Sequence, residues 1–98
     1  MYAVIGRVKI KPGLEDQTRD MITSHGIPAL RGMAGWSSGY WSRSTDNGDL
    51  IQHSYWLFDT EDHARSAAAN FNILREMPEA EAPAVFISVD VSEVVAEG

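Results

Sequence analysis

The chain has 98 residues, a net charge of −6 and no cysteine. That length builds one domain over residues 1–98, with a real core and no room for a second. The charge opposes nucleic acid and anionic lipid, the missing cysteines exclude disulfides and thiolate chemistry, and no apolar run is long enough to span a membrane. Met1 leads directly into strand-like sequence, so no signal peptide is expected and a cytoplasmic location follows.

Tyr2 to Ile10 alternates as a strand, with Tyr2, Val4, Gly6, Val8 and Ile10 on one face and Ala3, Ile5, Arg7 and Lys9 on the other. Lys11-Pro12-Gly13 ends it. From Leu14 the period becomes helical, with Leu14, Thr18, Met21, Ile22 and His25 in one stripe and an acidic first turn that suits the helix dipole. Gly26 and Pro28 predict a break, then a shorter helical segment to Arg31 or Gly32. Gly35 to Ser44 reads as the second strand, and Asn47-Gly48 as the hairpin turn after it.

Leu50 to Phe58 is the strand around which the chain is organised. Ile51, His53, Tyr55 and Leu57 lie on one face, and Gln52, Ser54, Trp56 and Phe58 on the other. Apolar bulk on both faces and no charge anywhere predict a central strand covered on both sides, with a few polar groups beside a pocket. A second helix follows from Thr60 to about Met77, with Ala64, Ala67, Ala68, Phe71 and Leu74 inward. The last strand spans Ala84 to Val95, with Val85, Ile87, Val89 and Val91 inward.

Strand, helix, strand, strand, helix, strand is the ferredoxin-like βαββαβ order: an α+β fold with a four-stranded antiparallel sheet and both helices on one face. The other face would carry Ile5, Phe86 and one side of the middle strands. That is too apolar to leave wet, and it predicts a homodimer packed sheet to sheet.

Histidines titrate near neutrality and ligate metals, so they are the first chemical candidates. His25 stands beside the expected helix break, either capping carbonyls or facing a pocket. His53 shares a strand face with Tyr55. If that face meets the helices, the two form a proton-transfer pair in a pocket; if it meets a second subunit, they satisfy each other at an interface. His63 reads as a solvated residue beside Asp59 and Asp62. No metal motif, paired-carboxylate site, nucleophile elbow or phosphate loop is visible. The aromatics say more. Trp36 and Tyr40 share one face of the second strand and Trp41 takes the other; with Trp56, Phe58 and Phe71 they outline either plain core or a pocket for a flat ligand. Three inward alanines on the second helix favour a cleft.

These features together resemble the antibiotic biosynthesis monooxygenase family. The likeness rests on Lys11-Pro12-Gly13 after the first strand, on the run from His25-Gly26-Ile27-Pro28 to Gly35-Trp36, and on Tyr55-Trp56-Leu57-Phe58-Asp59-Thr60-Glu61-Asp62. It implies a dimeric α/β barrel with one pocket per subunit between sheet and helices. In the haem-degrading branch, an asparagine, a tryptophan and a haem-ligating histidine would fall at Gly6, near Ala67 and near Met77. None is present, so haem degradation is disfavoured and no cofactor is implied. The cofactor-independent branch oxidises anthrone-like or quinol-like aromatic metabolites, an oxidoreductase activity that needs a base, a dry aromatic pocket and oxyanion donors. His53 with Tyr55, or His25, would supply the base. Trp36, Tyr40, Trp56 and Phe71 would hold the ligand, and Arg31 or Trp56 would orient the anion. A non-catalytic binding or accessory protein, or an isomerase or cyclase, would use the same scaffold.

Overall fold

The computed structural model describes residues 1–98. Alternation and turn chemistry produce four strands: β1 (Tyr2–Ile10), β2 (Trp36–Asp46), β3 (Asp49–Phe58) and β4 (Ala84–Glu93). All neighbours pair antiparallel, in the order β2-β3-β1-β4. β3, uncharged from Leu50 to Phe58, is therefore an inner strand, as its composition predicts. Asp46 pairs with Asp49 across a turn in which Asn47 (φ +50°) and Gly48 (φ +84°) both take left-handed backbone, the type I′ geometry that Asn-Gly favours.

The first helix does not break. α1 (Glu15–Met21), a π-helical turn (Ile22–Gly26) and α2 (Ile27–Arg31) follow one another directly. Gly26 stays right-handed, and the Ile27 amide donates to the Ile22 carbonyl five residues back. The wider turn takes up an extra residue just ahead of Pro28, which has no N–H to donate back into it. The second helix, conversely, is two. Thr60 caps α3 (Glu61–Ala68) by accepting from the His63 amide at 3.2 Å. The ladder then tightens, with Asn70 donating to Ala67 and Asn72 to Ala69, both at 3.0 Å, before α4 (Phe71–Glu76) begins. Asn70, a poor helix former, marks the change.

The helices cover one face of the sheet. Val4, Val8, Trp56 and Phe58 from the strands meet Leu30, Ala64, Ala67 and Phe71 in a single apolar cluster. Two bulges correct the expected facing of the edge strands. In β2, Trp36 pairs with Phe58 and Ser38 with Leu57, so Ser37 is an extra residue. Beyond it the alternation reverses: Trp36 and Trp41 share the inner face, and Tyr40 points to the other. In β4, Ser88 opposes Arg7 but Phe86 opposes Val8, so Ile87 is unpaired. Ala84, Phe86, Val89 and Val91 are consequently the inward residues, while Val85 and Ile87 are not.

Where β3 hands over to α3, Gly35 takes φ +81°, and a Cβ there would collide with Asp59 Oδ1 and His63 Nδ1. The Asp59 amide donates to the Gly35 carbonyl at 3.0 Å, and the Asp59 carboxylate meets the His63 imidazole at 2.6 Å. That hydrogen bond, more than the charge of His63, holds the Asp59 carboxyl below the ordinary aspartate range. A depressed carboxylate stabilises the fold above its unfolded pKa and loses that contribution as pH falls through the folded value. In His63→Ala, the carbon-13 titration of the Asp59 carboxyl is therefore expected to move up towards the ordinary value, and the acid edge of the stability profile to move up with it.

Candidate functional site

Between the sheet and the two helical arms lies a cavity of about 450 Å³. Its floor is built by alternation: Gln52, Ser54 and Trp56 project from β3, and Trp41 joins them from β2 because of the Ser37 bulge. The π-turn supplies one wall through Ile22 and His25, and α4 supplies the opposite wall through Phe71 and Leu74. Trp56 stacks on Phe71 at 4.9 Å between ring centroids and 24° between planes, with Trp41 tilted at 6.3 Å. The stack exists because Gly6 lies under Phe71; a Cβ on residue 6 would run into the ring. Such a wall favours a flat, apolar partner.

Polar groups sit in this apolar setting with capacity to spare. Gln52 and Ser54 are buried and line the cavity. The Trp56 indole N–H is buried and donates to nothing, a cost of about 1–3 kcal/mol when no acceptor is supplied. Arg43 donates through Nε to Gln52 Oε1 and through Nη2 to Thr18 Oγ1, both at 3.0 Å, tying β2 and β3 to α1. Since Arg43 only donates, the Gln52 atom it meets must be the carbonyl oxygen, which leaves the amide NH₂ free for another acceptor. His25 carries the one imidazole among the lining residues; it is exposed and stands at the rim. No group of three histidine, aspartate or glutamate side chains is arranged to hold a metal ion.

No protein-family model matches the chain, and no curated protein matches it in sequence. Solved structures do match in shape. A mutant of MhuD with two manganese protoporphyrin IX molecules bound per active site superimposes with a TM-score of 0.73 at 14% identity, over 100% of this chain and 98% of that one. Rv0793 from Mycobacterium tuberculosis gives 0.58 at 20% identity, over 98% and 96%. The chain shares their ferredoxin-like fold.

Within that fold, the sequence-derived candidates divide. His25, Trp56 and Phe71 come together around the cavity. His53 and Tyr55 do not: they alternate with Gln52, Ser54 and Trp56 and therefore face away from the helices. His53 Nε2 meets Ser44 Oγ at 3.0 Å there, and Tyr55 is 39% exposed. Trp36 packs edge-on against Phe58 in the core at 5.7 Å, outside the cavity. Tyr40, 69% exposed, lies on the sheet's other face, and Arg31 ends α2 away from the cavity. Sequence reasoning missed Trp41, Gln52, Ser54 and Arg43 as site residues. The alternation of β3 carried the signal for Gln52 and Ser54, whereas Trp41 and Arg43 depend on a bulge with no residue signature.

Gly6→Ala would push Phe71 off the sheet. It is expected to destabilise the fold by about 1–3 kcal/mol, read by urea unfolding, and to change the Trp56 fluorescence by breaking the stack.

Proposed function

We propose that the cavity binds a flat aromatic metabolite and that the protein is a cofactor-independent monooxygenase of an anthrone-like or quinol-like substrate. One observation carries the reading: an apolar, aromatic-walled cavity with uncommitted hydrogen-bond donors and a single imidazole, His25, in its lining. In this scheme His25 takes a proton from the acidic C–H or O–H of the ligand, leaving an electron-rich anion stacked against Trp56 and Phe71. The Gln52 amide and Ser54 hydroxyl steady the negative charge on oxygen. The anion reduces dioxygen; for a methylene carbon, one oxygen atom is kept as a carbonyl and the other leaves as water. The two C–H bonds lost from the substrate supply the electrons, so no outside reductant is needed.

MhuD holds porphyrin in its active site, but the residues here do not fit that use. Position 6 is a glycine with the Phe71 ring packed over it rather than an asparagine, Met77 stands where the haem ligand would fall, and the one imidazole in the cavity comes from the first helical arm. No step through haem is derived. A second reading, a non-catalytic binding protein, is favoured by His53 and Tyr55 facing away from the cavity.

Oxygen uptake by the purified protein, with a panel of hydroquinones and anthrones, separates the two. Saturable uptake that falls about 100-fold in His25→Ala is the expected result. Uptake at the uncatalysed rate, with an anthraquinone still bound, would make it a binding protein.

We also propose a homodimer packed sheet to sheet. Ile5, Leu57, Ile87, Tyr40 and Tyr55 lie on the uncovered side of the sheet, and Tyr40, Tyr55 and Ile87 are exposed there. The wild-type chain is expected to sediment at twice the chain mass and Tyr55→Asp at the chain mass. A wild-type monomer at micromolar concentration would remove the dimer.

A further inference from the structure

A second cleft opens between the first helical arm and the edge strand β2, lined by Arg19, Thr23, Ile27 and Arg43 among others. It shares Ile22, Trp41 and Gln52 with the aromatic cavity, so one thin wall separates the two spaces. The charge there is unusual for this chain. The protein carries a net charge of −6, yet none of its ion pairs involves Arg19 or Arg43. Arg43 is half-buried and held in place by neutral acceptors, Gln52 Oε1 and Thr18 Oγ1, and its other N–H groups have no partner. A guanidinium fixed by neutral oxygens keeps its full charge for something else, and its planar fork matches a carboxylate.

We propose that the cleft is the anionic subsite of the same binding site, and that the ligand is an aromatic carboxylic acid. Its ring would lie against Trp56 and Phe71, and its carboxylate would pass the Trp41–Gln52 wall to reach Arg43 and Arg19. The free NH₂ of Gln52, which lines both spaces, would donate to the same end of the ligand. This rests on the aromatic cavity being a ligand site, and it narrows the substrate class to acids. It also gives Arg43 a role beyond joining strand to helix.

The test compares two probes of one shape, anthraquinone-2-carboxylate and anthraquinone-2-carboxamide, by quenching of tryptophan fluorescence in low salt. The carboxylate is expected to bind about tenfold more tightly, as charge-assisted hydrogen bonds require, and the preference is expected to shrink in high salt. The ratio of the two affinities is expected to fall towards one in Arg43→Gln and in Arg19→Gln. Arg19 is exposed and makes no ion pair, so its variant reports on the cleft even if Arg43→Gln loosens the fold. Equal affinities in the wild-type protein would overturn the anionic subsite and leave the aromatic cavity standing. A preference that survives in both variants would also overturn it. Binding of neither probe would overturn the aromatic cavity and the subsite together.

Discussion

In an alternating strand, one added residue reverses every side chain beyond it. Both edge strands of this sheet contain such a residue, Ser37 in β2 and Ile87 in β4, and neither inner strand does. Without the first, Trp36 and Trp41 would face opposite sides and Arg43 would leave the helical side with Trp41. Without the second, either Phe86 or the pair Val89 and Val91 would turn away from the core. The apolar cluster and the cavity thus share one dependence: the parity of two edge strands.

The inner strands provide the fixed frame. β1 and β3 pair over nine consecutive positions without interruption, so their facing follows directly from sequence. That regularity lets Gly6 sit opposite Ser54 and leaves a gap in the sheet surface that Phe71 fills. The tightened turns around Asn70 precede Phe71 immediately, so a change in helical geometry falls where the ring meets Trp56. A continuous helix through Asn70 would set Phe71 at another angle about the axis.

The fold was legible because its signals are local and strong. Uncharged Leu50–Phe58, the Asn47-Gly48 turn and the alternation of Tyr2–Ile10 give strand order and hairpin from residue type alone. The site was legible in part. Gln52, Ser54 and Trp56 stood on one face of β3 from the start, but only the covering helices reveal which face holds the cavity. His53 and Tyr55 attracted attention by chemistry and lie on the other side. Bulges at Ser37 and Ile87 carry no glycine or proline to mark them, and the π-turn looks in sequence like the helix break that Gly26 and Pro28 ordinarily announce. These departures from strict period are invisible to periodicity, and they decide the facing of Trp41, Arg43 and Phe86.

The π-turn has a consequence of its own. An α-helix advances about 100° per residue, so the one residue absorbed between Ile22 and Gly26 sets the rotation of everything after it relative to α1. Thr18, before the turn, and Leu30, after it, are both buried on the sheet side. In a uniform helix twelve residues apart, they would stand about a third of a turn from each other. The added residue acts as a phase corrector, letting one short rod keep two contact points that a regular helix could not both meet. Pro28 confines it, since a proline further into an α-helix would forfeit a backbone bond. The position of His25 at the cavity rim is thus a by-product of rotational bookkeeping between two packing anchors.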